Sequence, residues 1–229
     1  MFLNFDTWRK TGHKELLQAY VKTFEKYKES DVKMMLKHCL DIYTSVGSGT
    51  YDGSITKWNS AYIIARELAV YKEYNKGEYV ISRLAEDLIN SKITPSEYMA
   101  NYILNFKQLV NNSVINPFFE ILSLIKEQNI RIETGENLSI EKIIDIKVFN
   151  LLKTSEENGK NMVKNLCRRI NDSKLMNYDE HKQELSYNGY KIVELKEACI
   201  LWNKTVLEFM SLDHNGYVDM ICDKNSFIY

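Results

Sequence analysis

Residues 160–187, KNMVKNLCRRINDSKLMNYDEHKQELSY, hold the pattern on which the fold turns. Met162, Val163, Leu166, Cys167 and Ile170 recur at the three-and-four spacing of one helix face, which predicts a helix over residues 160–172. Its opposite face carries Asn161, Lys164, Asn165, Arg168 and Arg169. Leu175-Met176-Asn177-Tyr178 then reads as a strand, residues 179–182 as a turn and residues 184–187 as a returning strand. Upstream, a helix over 139–152 ends in a turn at 155–159. Downstream, Gly189 leads into a long helix through about Met210.

Helix, helix, two-stranded hairpin, helix is the layout of a winged helix, and the amino-terminal part repeats it in longer form. Apolar spacing predicts helices over 13–29, 31–43 and 56–71, with a Gly/Ser/Thr-rich loop at 45–54. Asn75-Lys76-Gly77 reads as a turn and Tyr79-Val80-Ile81 as a short strand. Ser82 caps a helix over 83–90. Thr94-Pro95-Ser96-Glu97 is a capping box opening a helix over 95–110, and Asn116-Pro117 opens another through Ile125. Residues 128–139 read as the boundary between two units, 1–130 and 138–229. The pair Ile81-Ser82-x-x-Ala85-x-x-Leu88 and Leu185-Ser186-x-x-Gly189-x-x-Ile192 marks the same passage from wing strand to helix in each. The expected class is mainly α with short β-hairpins, in tandem winged-helix-like units.

The whole-chain numbers fit this. A chain of 229 residues that is 45% hydrophobic and 27% charged buries a sizeable core, and only 2 prolines and 9 glycines are few for a sandwich or barrel. The net charge of -1 argues against a polybasic protein. By segment, however, residues 9–37 hold eight Lys/Arg against four acids, and residues 160–174 hold five against Asp172 alone. Residues 116–146 reverse this, with three against six.

Several chemistries lack their handles. The start has no basic stretch followed by an apolar run, and no run approaches the ~20 apolar residues of a membrane span, so a cytoplasmic protein without a membrane partner is expected. Cys39, Cys167, Cys199 and Cys222 form no C-x-x-C and read as reduced, buried thiols. His13, His38, His181 and His214 are scattered, and no metal site or cofactor is expected. Phosphate-binding glycine loops and the serine-hydrolase elbow are missing. Glu194-Leu195-Lys196 has the acid-x-Lys spacing of metal-dependent nucleases without an evident partner acid. Asp213-His214-Asn215-Gly216 with Asp219 lacks the closing Glu of a calcium loop and reads as a turn.

A helix that reads duplex DNA needs an apolar face holding it to its domain and outward Arg, Lys, Asn or Gln for base edges and phosphates. Lys160, Asn161, Lys164, Asn165, Arg168 and Arg169 meet this description. Lys57, Asn59, Ser60 and Arg66 give a weaker version on the 56–71 helix. In addition, Phe5-Asp6-Thr7-Trp8-Arg9, Tyr79-Val80-Ile81-Ser82-Arg83-Leu84-Ala85, Ile93-Thr94-Pro95-Ser96-Glu97 and Asn116-Pro117-Phe118-Phe119 resemble the winged-helix DNA-recognition modules of bacterial restriction endonucleases over about the first 125 residues. Ala85 stands where such modules often have Gly. The resemblance implies sequence-specific binding of double-stranded DNA, with cleavage in a separate nuclease domain or subunit, and assigns no catalytic residue here. The competing expectations are a plasmid or phage replication initiator or regulator, a metal-dependent nuclease using Glu194 and Lys196, and a helical inhibitor protein.

Overall fold

The computed structural model describes residues 17–21, 23, 64–75, 78–152 and 156–229. These are mainly helical, with small antiparallel sheets. They fall into two compact units. One, the three-strand unit, contains Met99–Ser211 and Lys224–Tyr229. The other, the β1–β2 unit, contains the described residues before Met99 and Leu212–Asp223. The 128–139 stretch therefore lies within the three-strand unit.

In the β1–β2 unit the helix expected over 56–71 stops at Glu67. Ala69 takes the left-handed conformation (φ 59°), and Val70 N–H turns back to Ala65 O (2.8 Å), the way a helix end satisfies its last carbonyls. Tyr71–Asn75 (β1) follows and pairs antiparallel with Glu78–Ile81 (β2), Tyr71 opposite Ile81. Ser82 caps Arg83–Ile89 (α1) as expected, its Oγ accepting from Ala85 N–H. Pro95–Asn105 (α2) opens on the capping box: Thr94 N–H donates to Glu97 Oε2 (2.7 Å) and Glu97 N–H to Thr94 Oγ1 (3.2 Å). The unit division falls within this helix, after Tyr98.

The three-strand unit begins with the rest of α2, which stops five residues before the expected Val110. Gln108–Val110 (β3) and Ser113–Ile115 (β4) form a hairpin. Asn111 and Asn112 both have positive φ (46° and 61°), as a two-residue hairpin turn demands and as asparagine tolerates. Pro117–Glu127 (α3) is capped by buried Asn116, whose Oδ1 accepts from Phe118 and Phe119 N–H while its Nδ2 donates to Leu104 O (2.8 Å). One side chain thus ties the end of α2 to the start of α3.

After a 3-10 turn, Ile132–Thr134, comes Leu138–Ser139 (β5), then Ile140–Ile144 (α4), Lys147–Leu152 (α5) and Glu156–Asp172 (α6). The single helix expected over 139–152 is two, since Asp145 and Ile146 close α4 on the carbonyls of Glu141 and Ile143. Of the turn expected at 155–159, residue 155 lies outside the described residues and residues 156–159 are instead the first turn of α6, with Glu157 near the positive helix end. Asn177–Asp179 (β6) and Glu184–Ser186 (β7) form the expected hairpin. β5 adds to β7, giving the order β5-β7-β6 around Leu185, which faces Leu138 on one side and Tyr178 on the other and is fully buried.

The long helix expected from Gly189 is broken into Ile192–Ala198 (α7) and Val206–Met210 (α8). Ile200 N–H leaves the helical ladder to bond Leu104 O (3.0 Å). Thr205 then starts α8 with a second capping box, donating from its N–H to Glu208 Oε2 and accepting from Glu208 N–H. The hydrogen bonds hold Glu208 below the usual carboxylate range. The Ser82 and Ser186 passages accordingly differ: Ser82 caps a helix, whereas Ser186 ends β7, six residues before α7 begins. His214–Cys222 (α9) returns to the β1–β2 unit.

Candidate nucleic-acid interface

α6 is held to its unit by Val163, Leu166, Cys167 and Ile170, all buried. Two of the residues expected on its outer face are buried with them. Arg169 is 0% exposed, its Nη1 donating to Tyr102 Oη (3.3 Å), and Asn165 is 6% exposed. The reason is angular. At ~100° per residue Arg169 lies only ~60° from Leu166, and Asn165 lies beside Arg169 on the same edge of the apolar arc. Arg169 and Asn165 are therefore corrected from outward readers to parts of the packed face.

The outer arc presents Lys160, Asn161, Lys164 and Arg168, together with Glu157, Asn171 and Asp172. Arg168 is the most constrained. Its Nη2 and Nε reach Glu180 Oε1 (2.5 Å) and Oε2 (3.4 Å) in the β6–β7 turn, and its Nη1 donates to Asn165 Oδ1 (2.7 Å). Buried Asn165 thus positions the arginine from behind. Lys160 pairs with Glu141 of α4, while Lys164 has no ion pair or hydrogen bond among the described residues.

The β6–β7 turn is fixed beside this arc. Asp179 Oδ1 accepts from His181 N–H (2.9 Å) and Lys182 N–H (3.0 Å). The Lys182 bond is the main cause that lowers the Asp179 pKa, so the turn carries a carboxylate at neutral pH. Asn171 Oδ1 accepts from Tyr178 N–H (2.9 Å), tying the last turn of α6 to β6. Among the described residues the buried Tyr178 phenol has no hydrogen-bond partner, and burial pushes its pKa up to about 12. Around α6 and the turn, Lys160, Lys164, Arg168, Lys174, His181 and Lys182 are thus interleaved with Glu141, Glu157, Asp172, Asp179 and Glu180. The anionic partners Glu141 and Glu180 escaped sequence reading, because Glu141 stands 19 residues from Lys160 and Glu180 stands 12 from Arg168.

Of the weaker set, Lys57, Asn59 and Ser60 lie outside the described residues. Arg66 is half-buried near His214, whose pKa is lowered by burial first and by the Arg66 charge second. The remaining motifs have local roles. Glu194 Oε2 accepts from Lys191 N–H at the start of α7, and Lys196 lies 4.6 Å from the Phe119 ring centroid. Asp213 caps α9 through Gly216 N–H (2.7 Å), Asn215 exchanges two hydrogen bonds with the Glu73 backbone, and Asp219 pairs with Lys72. Cys167, Cys199 and Cys222 are free and buried, and burial raises each thiol's pKa, that of Cys199 to about 12. Among the described residues no group of three or more His, Cys, Asp and Glu is placed to hold a metal, and no helix is long and apolar enough to cross a membrane. No known protein-family model matches the chain, and a search of curated proteins finds no match to it either.

Proposed function

We propose that the three-strand unit is a winged helix that binds double-stranded DNA sequence-specifically, as the recognition part of a restriction or anti-phage system. The observation that carries this is connectivity: helix α3, strand β5, helices α4 to α6, then the β6–β7 hairpin, with β5 added to β7. That order seats a long helix and the turn of a hairpin side by side. A helix so held fits the ~12 Å major groove with the hairpin turn beside it at the backbone.

In this reading Asn161 and Arg168 contact base edges, the lysines contact phosphates, and Asn165 aims Arg168. Arg168 must exchange its carboxylate for a base edge, and Lys160 its carboxylate for a phosphate. Because both pairs are partly exposed, each is worth at most about 1 kcal/mol, so the duplex can displace it. Lys57, Asn59, Ser60 and Arg66 are the proposed contacts of the amino-terminal unit, and a nuclease domain or subunit is the proposed partner.

Selection of bound sequences from a random duplex pool, followed by salt titration on the winning site, tests the reading. An enriched motif is expected. With Lys160 and Lys164 on phosphates, log affinity should fall with log salt with a slope of about −2. A pool that returns no motif, or binding unchanged in Lys164→Ala/Arg168→Ala, overturns it.

A further inference from the structure

A groove of about 770 Å³ runs between the carboxyl end of α3, the 3-10 turn after it and the start of α7. Its lining includes Ile125, Ile130, Ile132, Ile192 and Val193. Val193 is 57% exposed although it belongs to an apolar wall, and Ile130 and Ile192 are only half-buried. The rim adds Lys126, Arg131 and Lys196 against one acid, Glu133. That acid is engaged: Glu133 Oε1 accepts from Ile192 N–H (2.8 Å), binding the turn to α7 and fixing the width of the groove. A second carboxylate, Glu136, holds the turn through Arg131 N–H (2.9 Å), and Arg131 is exposed. None of the three rim cations forms an ion pair among the described residues. Glu120 on α3 feels the Lys196 charge without pairing to it. The lining residues come from elements other than α6 and the β6–β7 turn.

We infer that this groove docks an acidic amphipathic helix of a partner protein, its apolar side chains on Ile130, Ile192 and Val193 and its carboxylates on Lys126, Arg131 and Lys196. The charge pattern selects this occupant. A phosphodiester backbone would satisfy the cations but leave the isoleucine floor wet, whereas a helix with apolar residues at three-and-four spacing and acids beside them satisfies both. The volume takes two or three large side chains, and the Glu133 tie means that little ordering is needed on binding.

The test is selection of a phage-displayed library of random 16-residue peptides on the full chain, followed by fluorescence anisotropy with the best clone as a labelled peptide. Clones rich in Leu, Ile, Phe or Met with an excess of Asp and Glu are expected. Affinity should fall about tenfold or more in Val193→Glu and about threefold or more in Arg131→Glu, and it should weaken at high salt. Both residues are exposed, and thermal melting checks that each variant folds. Should either melt early, Lys126→Glu with Lys196→Glu is measured in its place. No enrichment, clones without acidic excess, or affinity indifferent to these substitutions overturns the inference.

Discussion

The two faces of α6 carry adjacent residues of the same type in opposite circumstances. Arg169 is fully buried, donates to the Tyr102 hydroxyl and is part of the core. Arg168 is partly exposed and held between Glu180 on the hairpin turn and Asn165 behind it. A guanidinium bound inside a fold acts on stability, while one bound to a displaceable carboxylate at the surface is available to a stronger anion. The comparison therefore separates the two residues by measurement: Arg169 should move the melting temperature and Arg168 the affinity for DNA.

The largest expected effect is that of Arg169→Ala. It opens a cavity and leaves the buried Tyr102 hydroxyl without this donor, which together should cost about 3–5 kcal/mol. In a chain of this size that lowers Tm by roughly 6–20 °C. A variant that melts like the parent and only loses DNA binding would return Arg169 to the reading face. Next comes Arg168→Ala. Loss of a bidentate contact should weaken binding of the selected duplex by about tenfold or more, with Tm within about 4 °C of the parent. Equal loss on random duplex would make Arg168 a phosphate contact and shift base readout to Asn161.

These two arginines also show how far the sequence could be read. The apolar stripe of α6, the β6–β7 hairpin and the Ser82, Thr94 and Asn116 caps are local patterns, and each formed where its residues predict. The depth of Arg169 is not local, because it depends on Tyr102, 67 residues away. Likewise β1 was hidden behind a left-handed Ala69, a conformation that alanine seldom marks in sequence. β5 is two residues long and exists through its pairing with β7. Other misses were legible in principle: Asn111-Asn112 is a hairpin signal, and Thr205-x-x-Glu208 announces the new helix that splits the expected long one. At the candidate site the cations were visible from spacing, while their carboxylate partners depended on tertiary placement.

The β1–β2 unit offers a buried polar group less well provided for than Arg169. His214 Nε2 bonds Tyr71 O (2.9 Å), so the neutral ring carries its proton there, whereas buried Nδ1 has no hydrogen-bond partner among the described residues. Burial, assisted by the Arg66 charge, lowers its pKa below the ordinary 6.5. The unfolded chain then binds the proton more readily than the folded one. The His214 contribution to stability is thus complete above the ordinary value and is lost as pH falls through the folded one. Melting curves from pH 8 to 5 should show this decline, and the difference between parent and His214→Gln should shrink as the pH is lowered. A difference independent of pH would show that His214 binds its proton equally well in the folded and unfolded chain, and would overturn this reading.

The smallest effect is expected at the other end of the Arg168 pair. Glu180→Gln keeps the size of the side chain and removes the charge that competes with phosphate. Glu180 is about half exposed, so the pair contributes at most about 1 kcal/mol and the melting temperature should hardly move. Affinity for the selected duplex should rise about threefold, with a faster association rate at low salt, because the turn, left with Asp179, repels the backbone less. Combined with Arg168→Ala, the gain should shrink to the part that comes from repulsion alone. The double-mutant cycle therefore separates a carboxylate that occupies the arginine from one that only faces the DNA. Weaker binding in Glu180→Gln would mean that the carboxylate orients Arg168 for its target, and the exposed half of the comparison would then rest on preorganisation in place of exchange.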